Sequence, residues 1–249
     1  MKKKQRPYVL TVAGFDPSGG AGLLADVKTL EQLKCYGLGL CTANTIQTDK
    51  TFESCHWTPI EQIKKQLEII IGSYPITAVK IGVVENWEVL KKLLILLHAK
   101  VPDVPIVLDP VLRSSSGFEF HKTEESRLYE LLDYIHLITP NYNELNALYG
   151  GKVQEGITQL QAKTNILLKG GHNDQALGVD MLYMKNGKQF QFSPKGNDFS
   201  DKHGSGCILS SAITGYLALG LPIMKACFRA KRYTEQRLQS NKTQLAYHH

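Results

Sequence analysis

Apolar runs of two different periods alternate along the 249 residues of this chain, and that alternation restricts the fold more than any other feature. YVLTVAG (8–14), GLGLCTANTIQ (37–47), ITAVKIGVV (76–84), PIVLDPV (105–111), YIHLITP (134–140) and TNILLKGG (164–171) read as strands. Between them, GLLADVKTLEQLK (22–34) places Leu23, Leu24, Val27, Leu30 and Leu33 at helical spacing. Further helices are expected at 60–74, 87–100, 124–132, 142–149 and 154–162. DMLYMKNGKQFQFS (180–193) reads as a hairpin turning at Asn186-Gly187. Helices at 204–219 and 222–239 close the chain, punctuated by Gly220 and Pro222. Alternating strands and helices imply an α/β fold with a mainly parallel sheet and helices on both faces. No linker breaks the pattern, so residues 1–249 are expected to form a single domain, with residues 1–6 as a basic tail. In such sheets ligands bind beyond the carboxyl ends of the strands. The strand-to-helix turns are therefore the places to look for chemistry.

Composition narrows the class. Hydrophobic residues make up 43% and charged residues 21%, a globular balance. The formal net charge is +6, part of it in MKKKQR, which reads as a solvated run because no aromatic-interleaved basic patch follows it. No nucleic-acid partner is expected. The apolar run after it breaks at Phe15-Asp16-Pro17 and suits a strand better than a signal peptide. The most apolar helix, VLKKLLILLHAKV (89–101), carries lysines and is too short to span a bilayer, so no membrane partner is expected. Cysteines at 35, 41, 55, 207 and 227 form no CxxC pair, which argues against a disulfide frame or zinc site and for reducing cytoplasm.

Five turns carry chemistry. AGFDPSGGAGLLAD (13–26) is glycine-rich and precedes a helix. It suits close backbone approach to an anion, or a plain glycine turn; it is neither GxGxxG nor a Walker A loop. Asp26 either complements the helix dipole or bonds a small polar ligand. Asp109 ends an apolar strand before proline, where a ligand or metal would be met. Asn141 and Glu144, three apart, read locally as a capping box more readily than as water-mediated Mg²⁺ ligands. Lys169 either meets a phosphate or reaches for water. In HGSGC, Gly204, Ser205 and Gly206 allow the amides at 204–207 to form an anion hole at a helix N-terminus. There Cys207 is expected to favour the thiolate, unless it is only a small residue opening an apolar helix.

Taken in order, AGFDPSGGAGLLADVKTL, CTANTIQT, KIGVV, LDPVLRSSSG, ITPNYNELNAL, LLKGGH and HGSGCILSSAITGYLALG resemble the ribokinase superfamily. More closely they resemble the hydroxymethylpyrimidine and phosphomethylpyrimidine kinases of thiamine biosynthesis. The match runs from residue 13 to about 220. The resemblance implies a ribokinase-like three-layer α/β/α sandwich, ATP with Mg²⁺, and two successive phosphorylations of 4-amino-5-hydroxymethyl-2-methylpyrimidine. It implies that Asp26 and Gln47 bind the pyrimidine ring, with Gly14 lining the pocket and Val83 and Val111 as apolar walls. Asp109, Asn141 and Glu144 would hold Mg²⁺ and phosphates, and Lys169 would reach the ATP phosphates. The Gly204–Cys207 loop would cradle the moving phosphoryl group, with Cys207 taking the hydroxyl proton. A homodimer is the family expectation.

This sequence departs from the family pattern in places. Ser205 replaces the usual threonine, Phe15 a small residue, Val83 a methionine, and Arg113 a neutral residue; the chain after Gly220 matches less well. A pyridoxal or pyridoxine kinase is the nearest rival. Gln47 argues against it, because an amide both donates and accepts, as an aminopyrimidine edge requires. A catalytically silent vitamer sensor is a reading from another class. Retention of Asp109, Glu144, Lys169 and Cys207 argues against that one.

Overall fold

The computed structural model describes residues 5–113, 119–120, 125–170, 177–196 and 199–248. Lys2–Lys4 of the basic run, Ser114–Gly117 of LDPVLRSSSG and Gly171-His172 of LLKGGH lie outside the described residues. In chain order the elements are β1 (Tyr8–Phe15), α1 (Gly22–Gln32), β2 (Tyr36–Gln47), β3 (Phe52–Trp57), α2 (Ile60–Ser73) and β4 (Ile76–Ile81). Next come α3 (Trp87–Lys100), β5 (Ile106–Leu108), α4 (Glu125–Leu131), a 3₁₀ turn (Leu132–Tyr134), β6 (Leu137–Ile138) and α5 (Tyr142–Leu148). The chain continues through α6 (Val153–Lys163), β7 (Asn165–Leu168), β8 (Asp180–Tyr183), β9 (Gln189–Phe192), α7 (Ser205–Ala218) and α8 (Ile223–Leu238).

All nine described strands join one sheet in the order β3-β2-β1-β4-β5-β6-β7-β8-β9. From β2 to β7 every neighbouring pair is parallel, and β3, β8 and β9 are antiparallel additions at the edges. Side chains alternate between two cores, as a doubly covered sheet requires. On β5 and its neighbours, Ile106, Leu108, Ile138 and Ile166 pack with α2, α3, α5 and α6. Val107, Leu137 and Leu167 face the other way, onto Ile208, Ala212 and Ile213 of α7 and Ala226 and Ala230 of α8. The result is the ribokinase-like three-layer α/β/α sandwich, with a mainly parallel sheet.

The sequence reading did not include β3. Its residues, FESCHW, pair antiparallel with β2 from Ala43↔Trp57 to Gln47↔Phe52. Strands β5 and β6 are shorter than their apolar runs suggest, three and two residues. Pro105, Pro110 and Pro140 flank them and have no N–H for a ladder. The chain therefore leaves the sheet early, placing Asp109 and Asn141 just beyond the strand ends.

Candidate active site

β1 lies between β2 and β4, so the crossovers leave it in both directions. That makes a switch point, and the carboxyl ends of the strands splay there into a crevice. The cavity has a volume of about 1490 Å³. A single small ligand usually occupies about 300–1,000 Å³, so this space suits an acceptor and a nucleotide together. Gly14, Gln47, Val83, Asp109, Val111, Asn141, Glu144, Lys169 and the whole Gly204–Cys207 loop line it.

One end is mostly apolar with an amide. Val83 Cγ1 approaches the backbone so closely that a Cβ at Gly14 would lie 2.9 Å from it. Gln47 Nε2 donates to Thr45 Oγ1 at 2.9 Å, and Thr45 Oγ1 donates to the Phe15 carbonyl at 2.8 Å. This chain fixes the amide's orientation. Phe15 itself is not among the cavity-lining residues. Arg113 does line the cavity and pairs with Glu119.

Asp26 is placed differently from the sequence expectation. It is fully buried and does not line the cavity. Its carboxylate accepts from Thr11 Oγ1 and Ser211 Oγ, each at 2.5 Å, and from Lys80 Nζ at 2.8 Å. A carboxylate this deep needs such partners. Lys80 is the cavity residue that sequence reasoning missed. It is 0% exposed, and the Asp26 charge outweighs burial and raises its pKa. The available signal was a lone lysine inside the apolar run ITAVKIGVV.

Elsewhere in the cavity three ionisable groups converge. Lys169 Nζ donates to Asp109 Oδ1 at 2.9 Å and lies 3.7 Å from Glu144 Oε2. Asp109 also accepts from Ser210 Oγ at 3.1 Å and Thr139 Oγ1 at 3.3 Å. Burial opposes ionisation of Asp109, yet Lys169 and Lys80 hold its pKa below the usual range. Glu144 is pushed up to about 7, chiefly by burial and also by Asp109, against the pull of Lys169. The capping box favoured by the local sequence is formed: Glu144 N donates to Asn141 Oδ1 at 2.8 Å, and Asn141 N to Glu144 Oε2 at 2.7 Å. The cap thereby aims Glu144 at the cavity, so the structural role also sets the site. No cluster of three or more His, Cys, Asp or Glu able to hold a metal ion exists among the described residues. Two carboxylates beside a polyphosphate nevertheless fit the way Mg²⁺ is commonly held, with phosphate oxygens and waters completing its shell.

The Gly204–Cys207 loop also lines the cavity. Gly204 caps α7 at φ 75°, where a Cβ would sit 2.2 Å from the Gly20 carbonyl oxygen. Only glycine allows this approach. The first glycine turn and the α7 loop are further tied by Asp16 Oδ2 and His203 Nε2, 2.8 Å apart. Asp16 also accepts from Ser18 N and Ala21 N, each at 2.9 Å. A Cβ at Gly206 would lie 3.4 Å from Lys169 Nζ and 3.8 Å from Asp109 Oδ2, so the α7 N-terminus meets the charged end directly. Cys207 lines the cavity at the start of α7. Even so, burial pushes the thiol up to about 11, with Lys80 opposing and Asp26 and Asp109 reinforcing. The expectation of a favoured thiolate is thus corrected: desolvation beside two carboxylates outweighs the helix terminus.

The sequence model of the family described as phosphomethylpyrimidine kinase matches residues 16–249. The chain belongs to that family. A hydroxymethylpyrimidine/phosphomethylpyrimidine kinase of Aquifex aeolicus is 34% identical over 245 residues, covering 94% of each chain. Among solved structures, a phosphomethylpyrimidine kinase of Clostridium difficile is 34% identical with a TM-score of 0.77, covering 92% of this chain and 98% of that one. A pyridoxal kinase from Staphylococcus aureus in complex with ADP superposes with a TM-score of 0.83 at 27% identity, covering 94% and 89%. Phosphomethylpyrimidine kinases and pyridoxal kinases therefore share this scaffold, and side chains in the crevice must separate them.

Proposed function

We propose that this phosphomethylpyrimidine kinase family member phosphorylates 4-amino-5-hydroxymethyl-2-methylpyrimidine with ATP, first to the monophosphate and then to the diphosphate. The observation that carries the reading is the set of groups brought together in one cavity. An oriented amide at Gln47, the α7 N-terminus and, directly against that terminus, Lys169 with Asp109 all line the same space.

In this reading Gln47 donates to and accepts from the aminopyrimidine edge, with Val83 and Val111 as apolar walls. Lys169 and the amides of Gly204–Cys207 receive the ATP phosphates, aided by the positive end of α7. Asp109 and Glu144 would hold Mg²⁺ beside those phosphates, where the ion would neutralise developing charge. Asn141 holds Glu144 in place through the cap. The substrate hydroxyl attacks the γ-phosphorus in line while the loop fixes the transferred group. Cys207, in that loop, is the proton acceptor in this reading. Burial leaves it mostly as the thiol, so it takes the hydroxyl proton from its minor thiolate form, which the high pKa makes strongly basic and Lys80 stabilises. In the second step the acceptor is an ionised phosphate, so a base matters little there. A homodimer and a cytoplasmic setting belong to the same reading; five free cysteines among the described residues suit a reducing compartment.

The pyridoxal kinase alternative draws on the ADP-bound Staphylococcus aureus structure. An ADP-release assay offering hydroxymethylpyrimidine, its monophosphate, pyridoxal and pyridoxine in parallel separates the two. The expected result is kcat/KM for both pyrimidines at least about tenfold above either B6 vitamer, the discrimination one buried hydrogen-bonding amide supplies. A preference for pyridoxal would contradict the reading.

A further inference from the structure

The segment after α8 lies against the residues that lead into α7. Lys202 is 6% exposed, and its Nζ donates to the Asn241 carbonyl at 2.6 Å, to Asn241 Oδ1 at 3.2 Å and to the Thr243 carbonyl. The backbone continues the join, with His203 N donating to Gln244 O at 2.9 Å. Ser200 Oγ donates to Leu238 O at 2.7 Å and to Asn241 O at 3.2 Å. Asn241 organises the segment itself: its Oδ1 accepts from Thr243 N at 2.7 Å, and its Nδ2 donates to Leu245 O at 2.9 Å. Leu245 Cδ2 then reaches the first glycine turn, 2.7 Å from where a Cβ on Gly20 would stand.

These oxygens around the Lys202 ammonium are neutral and come from one short segment. Charge-assisted bonds of this kind are stronger and more directional than neutral ones. The cation lies one residue before His203 and two before the strained cap at Gly204. Ser205 N donates to Lys202 O at 3.3 Å, so the same residue also begins the α7 turn. Lys202 and Gly204 thus share one tight turn, and Gly204 lies so close to Gly20 that a Cβ on it would stand 2.2 Å from the Gly20 carbonyl oxygen.

We propose that Lys202 and residues 239–247 form a latch that positions the Gly204–Cys207 loop for phosphoryl transfer. Lys202 is a positioning residue, acting through the loop. The inference rests on the kinase reading only for the identity of the reaction that the loop serves.

The test compares the wild-type chain with Lys202→Met, which keeps the length and removes the charge, and Asn241→Ala, which disorganises the segment. Amide hydrogen exchange over His203–Ile208 is read first and needs no substrate. Kinetics follow with whichever acceptor the wild-type protein turns over. Both variants are expected to exchange faster in that peptide with β4 and β5 unchanged. They are also expected to lose about tenfold or more in kcat while the acceptor KM stays within about twofold, the mark of a misplaced reacting group. Unchanged loop exchange, unchanged turnover, or an acceptor KM that rises in step with the loss of kcat would each overturn the latch. Should Lys202→Met not fold, Asn241→Ala decides by the same criteria. Should the wild type turn over no acceptor, the kinase reading fails while the exchange experiment still decides whether the segment holds the loop.

Discussion

Cys207 shows how one residue changes meaning between sequence and structure. A cysteine after Gly-Ser-Gly at a helix start suggests a ready thiolate, but its thiol is pushed up to about 11. Iodoacetamide modification of Cys207 in the ligand-free protein is therefore expected to rise through about pH 11, well above the ordinary thiol range near 8.5. A plateau by pH 9 would contradict this. Because Lys80 is the group that pulls this pKa down, Lys80→Met should slow modification further at any given pH. In catalysis, Cys207→Ala should lose about 10²-fold or more in kcat for the alcohol substrate and far less for the monophosphate, since a base serves only the first step. Equal losses in both steps would sink the assignment. The Lys80–Asp26 pair makes a separate claim about stability. Removing one partner leaves a buried charge uncompensated, so Lys80→Met should cost about 3–5 kcal/mol, measured by urea unfolding. Pairing it with Asp26→Asn should recover part of that loss. An unaltered midpoint in the single variant would contradict the buried pair.

At the scale of elements, regular periodicity was readable and compensated edges were not. The helix α1 pattern at Leu23, Leu24, Val27 and Leu30 and the Asn186-Gly187 hairpin stand where periodicity and turn chemistry put them. β3 escaped because FESCHW carries Glu53 and His56 among its apolar residues and borders β2 only at the sheet edge. The cap on α5 was legible as a cap, and its second use was not. Asn141→Ala should cost about 1 kcal/mol of stability as a lost N-cap and, by freeing Glu144, weaken Mg-ATP use as well. Thermal unfolding with a KM for Mg-ATP checks both; a stability loss with unchanged KM would separate the cap from the site. Gly204→Ala tests the α7 loop. At φ 75° and 2.2 Å from the Gly20 oxygen, a methyl group must displace the loop, so turnover should fall more than acceptor affinity.

Across the whole molecule, sheet order turns scattered motifs into one crevice. The five turns picked from the sequence all fall at carboxyl ends of strands or at the α7 start, because β1 stands at the switch point. What the sequence could not show are contacts made across the fold. His203 meets Asp16 from 187 residues away, Lys169 meets Asp109 from 60, and Lys80 takes the carboxylate of Asp26 from 54. Local patterns carry no information on such pairings, so Asp26 looked like a ligand contact and Lys80 was passed over. In the kinase reading one cavity presents an aminopyrimidine alcohol, and then its phosphate, to ATP at the same loop. Phosphorus NMR of a reaction holding Mg-ATP and hydroxymethylpyrimidine tests it most directly. The account predicts a phosphomonoester signal that rises first and gives way to a diphosphate pair as ADP accumulates. ATP left intact in the presence of the pyrimidine, or a pyridoxal phosphate signal dominating a mixed-acceptor reaction, would contradict it.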